Sequence, residues 1–122
     1  MIYISSPGVS RFLVDVVSTP AALAQGLSGR QTLPPRQGML FVFPYITVQS
    51  MWMPNMNFPL DIVWIDSNKT VIKIEQNATP CSNTHNCKSY GSSYPVLYAI
   101  ELNAFDANRM GIQVGSQLSF SV

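Results

Sequence analysis

The sequence predicts a mainly β domain, an antiparallel sandwich or a partly closed barrel of about seven strands with two short helices. Short apolar runs alternate with turn residues along most of the chain. No regular helices separate these runs, which argues against a parallel α/β sheet. The chain has 122 residues and no linker or low-complexity tract, so residues 1–122 are predicted to form one domain with its own core.

The first clear strand and the first helix are predicted next to each other. In residues 10–18 the alternation of apolar positions indicates a strand with a buried face. Thr19 is placed to accept a hydrogen bond at a helix start, and Pro20 suits the first helical position. Residues 21–25 favour a helix, and Gly26 ends it after about two turns.

The remaining elements follow the same local signals. Ser67-Asn68-Lys69 separates two apolar segments and forms the clearest predicted hairpin with them. Residues 77–95 form a long polar loop. Asn103 is placed to cap a short helix that runs through Arg109. The further strands are predicted at residues 39–43, 48–53, 60–66, 70–76, 96–103 and 117–122.

Charged residues make up only 11% of the chain, against roughly 25% in an average soluble domain. Because a weakly charged surface costs less to bury, this composition favours a second surface covered by a partner protein or by another copy of the chain. A monomer coated with Ser, Asn, Thr and Gln explains the same numbers. Both interpretations stay open at the sequence level.

Several kinds of partner and location are disfavoured. The seven Lys and Arg residues are scattered and the net charge is +1, whereas nucleic-acid binding needs a clustered basic surface. No apolar run reaches the ~18 residues of a membrane span. Residues 1–10 lack a charged start and a long apolar run, so they do not predict a signal peptide. A virion or an extracytoplasmic site is favoured over the free cytoplasm.

Three groups of residues in order resemble signatures of the DUF192 (UPF0127) family, and together they span Val14 to about Leu118. The groups are Gln25-Gly26-Leu27-Ser28-Gly29-Arg30 with Leu33 and residues 38–44, then Trp52-Met53-Pro54-Asn55-Met56 with residues 59–63, and last residues 98–104 with Gly111-Ile112 and Gly115.

This resemblance implies a mainly β domain that is often exported or tethered in bacteria and archaea, and it implies no established activity. The sequence departs from the family where Pro54 and Met56 stand, since family members usually carry Lys and Thr there. Phe105 and Ser116 replace a frequent Gly and a frequent Asp. An activity that needs the missing polar groups is therefore not expected.

Cys81 and Cys87 lie in the long polar loop and are predicted to form a disulfide, which by loop entropy contributes about 2 kcal/mol. Two reduced thiols are the alternative. His85 lies between them, but a structural zinc site needs four ligands and this loop supplies three, so no metal and no cofactor is predicted. A Cys–His nucleophile is also disfavoured, because no orienting third group accompanies the pair.

Arg30, Asp61 and Glu101 lie beside apolar signature residues. A carboxylate within an apolar strand, such as Asp61, is rarely buried without a partner. We therefore expect a structural ion pair between Arg30 and either Asp61 or Glu101. The alternative is a small polar pocket, lined by Arg30, Asp61 and Trp52, that holds an anionic or sugar-like ligand.

Residues 51–58 form a segment rich in Met and aromatic side chains, with Trp52 and Asn55 within it. If exposed, such residues are typical of a protein-partner surface, and if buried they are ordinary core. The candidate binding residues, for a pocket or a partner, are thus Arg30, Trp52, Asn55 and Asp61.

The sequence contains no set of residues typical of a catalytic site. The favoured function is a non-enzymatic interaction or assembly protein, for example a decoration or accessory subunit of a virion or another large complex. The alternative is an extracytoplasmic domain that binds a small ligand or a protein. A hydrolase-like enzyme is the least favoured of the three classes. A protein partner or a homo-oligomer is expected.

Overall fold

The computed structural model describes residues 1–53, 55–81 and 87–122. In these residues one six-stranded sheet has the order β1-β2-β3-β6-β4-β5 and carries two short helices. The mainly β prediction is therefore confirmed. The elements in chain order are β1 (Ile2–Ser6), β2 (Val9–Val17), α1 (Pro20–Gln25), β3 (Gln37–Trp52), β4 (Leu60–Ile65), β5 (Val71–Ala78), β6 (Ser89–Asn103) and α2 (Asp106–Met110).

Strand β3 joins two segments that the sequence separates. The predicted strands 39–43 and 48–53 are one long strand, and its pairing with β6 shifts register between Val42 and Thr47. Pro44 lies within that shift, where the missing backbone N–H of proline does not interrupt the hydrogen bonds between the strands. Strands β2 and β3 run parallel, which departs from the antiparallel pairing of the other neighbours. Helix α1 lies on the connection between them, as a parallel crossover requires.

The C-terminal segment connects the two edge strands of the sheet. Ser119 bridges to Ser5 within β1, and Gln117 bridges to Thr70, just before β5. The predicted strand at 117–122 thus consists of isolated bridges. The Leu118 amide donates to the carbonyl of Lys69 at 2.9 Å. The result is a curled sheet, a half-barrel, in agreement with the predicted partly closed barrel.

Both faces of the central strands are buried, and all six residues of β4 are buried. Inside the curl, one apolar cluster surrounds Phe12, Leu40 and Ile100. On the outer face, a second cluster around Phe41 and Trp64 lies under α1 and the loops. Burial on both faces explains why these strands are continuous apolar runs in the sequence.

The two helices differ in how well local signals predict them. The Thr19 hydroxyl accepts the Ala22 amide at 3.2 Å, so the predicted cap of α1 is confirmed. The predicted Asn103 cap of α2 is wrong, because the helix begins at Asp106 and Asn103 donates instead to the carbonyl of Leu33 at 2.6 Å. Among the described residues, neither helix has the length and apolar character needed to cross a membrane.

Candidate binding pocket

A pocket of about 200 Å³ opens between the end of α1 and the end of β3, with β6 beneath it. Its lining combines large apolar side chains with a few polar ones. The apolar side chains are Leu23, Leu27, Phe41, Met51, Trp52 and Met56, and the polar ones are Gln25, Ser28, Ser50 and Glu101.

The first wall is the end of α1 and the turn that follows. The helix ends where the Gly26 amide donates to the carbonyl of Ala22 at 2.9 Å. Gly26 has φ 50° and ψ −129°, a conformation that only glycine adopts readily. The next residue, Leu27, is buried in the outer core and fixes the turn above the sheet.

The second wall is the end of β3 and the loop after it. Trp52 is 53% exposed and stands at the rim of the pocket. Two hydrogen bonds tie this loop to the turn after α1: the Gly29 amide donates to the Asn55 carbonyl at 3.0 Å, and the Asn57 side chain donates to the Arg30 carbonyl at 2.7 Å. The two walls are therefore held together by one backbone–backbone hydrogen bond and one hydrogen bond from the Asn57 side chain.

Glu101 on β6 lies at the floor of the pocket and is 6% exposed. A Cβ atom placed on Gly26 would stand 3.3 Å from its Oε1 atom, so the carboxyl points toward the turn after α1. Burial raises the pKa of Glu101 from 4.5 to about 7, because removal from water disfavours the charged form. Within the described residues, the carboxyl has no hydrogen-bond or ion-pair partner.

The expected ion pair of Arg30 with Asp61 or Glu101 is wrong. The Arg30 guanidinium instead lies 3.5 Å from the carboxylate of Asp15 on β2. Both side chains are more than one-third exposed, so this pair forms without the desolvation cost of a buried one and contributes little to stability.

Asp61 is fully buried and its carboxylate accepts three backbone amides rather than a cation. Oδ1 accepts from Asn77 and Phe105, and Oδ2 accepts from Ala107, each at 3.0 Å. Both Asn77 and Phe105 have positive φ angles, 58° and 71°, which cost energy for residues other than glycine. Asp61 therefore holds β5 and the start of α2 against β4.

Of the four candidate binding residues, the structure places Trp52 in the pocket. Arg30 and Asn55 lie in the two loops that form its walls, and Asp61 lies in a separate structural network. Sequence reasoning assigned Glu101 to an ion pair and missed its place at the pocket floor. A carboxylate flanked by apolar residues on a strand is the signal that marks it, but that signal does not distinguish pocket from core.

The Cys81–Cys87 disulfide is confirmed, with the two Cα atoms 5.4 Å apart. His85, and with it the Cys-x3-His-x-Cys pattern, lies outside the described residues, as does Pro54. In the described ranges, no group of three His, Cys, Asp or Glu side chains is arranged to hold a metal ion.

Residues 2–120 match the DUF192 family, which is described as an uncharacterized ACR. The chain belongs to this family. A crystal structure of a Sinorhizobium meliloti protein, described as a candidate transcription regulator, is similar with a TM-score of 0.85 and 33% identity. That match covers 97% of this chain and 90% of the other.

A second similar crystal structure is that of a protein of unknown function from Novosphingobium aromaticivorans, with a TM-score of 0.85 and 27% identity. The match covers 98% of this chain and 83% of that one. These likenesses establish the fold over nearly all of this chain. A search of curated proteins found no match.

Proposed function

We propose that this DUF192 protein is a non-enzymatic binding protein, and that its ligand site is the pocket between α1 and β3. The observation that carries the proposal is the buried Glu101 carboxyl at the floor of an open pocket with Trp52 at its rim. A concave site with apolar walls and a few convergent polar groups is typical of small-molecule binding. A titratable group with a shifted pKa strengthens that interpretation.

The size and charge of the pocket limit its ligand. About 200 Å³ is smaller than the roughly 300–1,000 Å³ of sites for drug-sized molecules. The ligand is therefore a small organic molecule or one end of a larger one. Once ionised, a carboxyl at the floor repels a second negative charge, which disfavours the anionic ligand that the sequence left open and favours neutral or cationic ones.

Binding is favoured over catalysis by the composition of the lining. Glu101 is the titratable side chain among the described lining residues. A single carboxyl with a pKa of about 7 can move a proton, but a hydrolase also needs an activated nucleophile or water and groups that stabilise the developing charge. The disulfide favours an oxidising, extracytoplasmic location.

The described basic residues give little support for a nucleic-acid surface. Each of the seven already contacts another group of the chain, so phosphate binding would compete with these contacts. The contacts are Arg11 with Tyr3, Arg30 with Asp15, Arg36 with the Arg11 carbonyl, Lys69 with the Phe120 carbonyl, Lys73 with Glu75, Lys88 with Tyr90 and Arg109 with Asp106.

The test is a screen of small sugars, polyols and amines by thermal shift, followed by acrylamide quenching of tryptophan fluorescence. The protein has two tryptophans, and Trp64 is fully buried, so quenching reports on Trp52. A pocket ligand should raise the melting temperature and protect Trp52 from acrylamide. Trp52→Ala should abolish the thermal shift.

Tyr94→Ala provides the matched control, because Tyr94 is 60% exposed and does not line this pocket. This variant should retain ligand binding. Failure of every compound in the screen to protect Trp52 would refute the proposal, and so would equal loss of binding in the Trp52 and Tyr94 variants.

A second candidate function, assembly with another copy of the chain, is favoured by the outer part of β3. Beyond Phe41 this strand pairs with β6 alone, so in the described residues its other edge has no strand partner. Tyr45, Ile46 and Val48 on this stretch are each more than half exposed. An apolar strand with a free edge can pair with its own copy around a two-fold axis.

Such a surface suits an interaction protein, including a decoration or accessory subunit of a virion. Sedimentation velocity over a range of concentrations tests the self-association. The native chain should form dimers, and Ile46→Lys should remain monomeric. Val114→Lys is the control, since Val114 is 64% exposed and the adjacent Gly115 is hydrogen-bonded to Val71 of β5, the edge strand at the other end of the sheet order from β1. A native chain that stays monomeric at the highest concentration contradicts this second function.

A further inference from the structure

We infer that the ligand of this pocket carries an ammonium group, methylated or not, that is seated against Glu101. This inference rests on the proposed function and names its ligand class. It begins from a difference among the three buried acidic residues: two of them have hydrogen-bond or ion-pair partners within the described part of the protein, and the third has none.

The three buried acidic residues in the described part of the chain are Asp61, Glu101 and Asp106. Asp61 accepts three backbone amides. Asp106 accepts the Arg36 amide at 3.3 Å and pairs with the Arg109 guanidinium at 3.0 Å. Glu101 is equally buried but has no such partner. Since a buried charge needs a compensating partner and the described residues supply none, the open pocket is the route by which a partner for the ionised Glu101 carboxyl can arrive.

The walls of the pocket suit a cation. Phe41 and Trp52 offer aromatic rings, and Met51 and Met56 offer polarisable thioethers. The Phe41 ring and the Glu101 carboxyl both lie against Gly26, since a Cβ atom on this glycine would stand 3.1 Å from Phe41 Cζ and 3.3 Å from Glu101 Oε1. An ammonium group seated in the pocket beside Gly26 would reach the Glu101 carboxyl, with aromatic side chains in the surrounding wall.

Other ligand classes satisfy the carboxyl less well. A hard metal ion requires several oxygen ligands, and the described lining provides one carboxylate. A neutral polyol donates hydrogen bonds but brings no positive charge. An ionised carboxylate accepts hydrogen bonds and cannot donate them, so an N–H donor or a fixed positive charge is its natural complement.

The charged groups around Glu101 leave its charge exposed to the pocket. Cross-strand pairing places Asp15 and Glu75 on the same face, each two strands away from Glu101. Each has its own cation, Arg30 at 3.5 Å and Lys73 at 3.4 Å. Helix α1 carries no charged residue. In the described elements, Arg30 and Lys73 thus pair with Asp15 and Glu75 rather than with the Glu101 carboxylate.

The experiment compares choline with 3,3-dimethyl-1-butanol (hereafter dimethylbutanol), in which an uncharged carbon replaces the quaternary nitrogen of choline. Both are titrated by calorimetry at pH 6 and pH 8 into the native protein, Glu101→Gln and Glu75→Gln. The ionised fraction of a carboxyl with a pKa of about 7 rises from about a tenth to about nine-tenths over this range. Choline carries a fixed charge, so its affinity should rise about tenfold, while that of dimethylbutanol should not.

In Glu101→Gln the preference for choline and its pH dependence should both disappear. Glu75→Gln should retain both, because Glu75 lies outside the pocket lining. Methylammonium serves as a smaller probe of the same class. Equal affinity for choline and dimethylbutanol overturns the ammonium assignment, and so does an affinity for choline that falls with rising pH.

The outcome also separates this inference from the proposed function. If polyols protect Trp52 while choline and methylammonium do not bind, the pocket is a ligand site and the ammonium assignment is wrong. If no compound of any class protects Trp52, both the proposed function and the ammonium assignment fail.

Discussion

Gly26 lies directly against the carboxyl of Glu101. A Cβ atom on this glycine would stand 3.3 Å from Glu101 Oε1 and 3.1 Å from Phe41 Cζ, tighter than ordinary van der Waals contact. The backbone at Gly26 also has φ 50°. One residue thus ends helix α1, shapes the wall of the pocket and admits the carboxyl beneath it.

Gly26→Ala should lower the free energy of unfolding by about 1–3 kcal/mol from backbone strain, with a further loss from crowding against Phe41 and Glu101. Chemical denaturation measures the total loss in the free energy of unfolding. Gly29→Ala is the matched control, since Gly29 has φ 83° but no atom within 4 Å of an added Cβ. The Gly26 variant should therefore be the less stable of the two, and equal losses would contradict the contact with Glu101.

Glu101 should make stability fall as pH rises from about 4.5 to about 7. The folded protein holds this proton up to a pKa of about 7, because burial disfavours the charge, whereas the unfolded chain releases it near 4.5. The contribution is therefore fully present below about pH 4.5 and is lost as pH rises through 7. The difference corresponds to about 3 kcal/mol.

Denaturation of the native protein and Glu101→Gln across pH 4–8 measures this contribution, because the other carboxyls are common to both proteins. The native protein should lose about 3 kcal/mol relative to the variant over that range. Parallel stability curves for the two proteins would show that the Glu101 carboxyl is not desolvated in the folded state.

The sequence predicts those parts of the fold that depend on short-range signals. Thr19 and Pro20 mark the start of α1, and Ser67-Asn68-Lys69 marks the turn between β4 and β5, so both were found. Strand β1 was missed, because residues 2–6 contain too few alternating apolar positions. The parallel pairing of β2 with β3 could not be predicted, since it depends on which distant strands meet.

The candidate site was predicted less well than the fold, for a related reason. Arg30, Asp61 and Glu101 all stand among apolar signature residues, and opposite charges in such segments suggest a pair. The structure separates them, because Asp61 obtains backbone amides from Asn77 and Phe105. Every residue except proline has a backbone N–H, so residue types do not indicate which amides will bind a buried carboxylate. The partners of Asp61 therefore could not be predicted from the sequence.

The Cys81–Cys87 disulfide should contribute about 2 kcal/mol to stability, because it closes a short ring and so removes little entropy from the unfolded chain. A variant with both cysteines replaced by serine should unfold at lower denaturant concentration than the oxidised native protein. Dithiothreitol should bring the native protein to the level of the variant and leave the variant unchanged. Equal stability of oxidised and reduced native protein would contradict this prediction.

Asp61→Asn should be strongly destabilising even though it changes few atoms. Both carboxylate oxygens accept backbone amides, and an asparagine side chain replaces one acceptor with an N–H₂ group that faces a donor. At least one of the amides of Asn77, Phe105 and Ala107 then loses its partner. An unpaired buried donor costs about 1–3 kcal/mol, and the cost is larger when the lost acceptor was charged. The strained conformations at Asn77 and Phe105 also lose their support.

Asp66→Asn provides the matched control for this change. Asp66 accepts the amides of Asn68 and Thr70 through Oδ1 alone, at 2.9 and 3.0 Å, and an asparagine oxygen can take over both bonds. Denaturation should therefore show a large loss for the Asp61 variant and almost none for the Asp66 variant. Hydrogen exchange should localise the loss to the amides of Asn77, Phe105 and Ala107. Similar stabilities for both variants would mean that the three amides do not depend on two carboxylate oxygens.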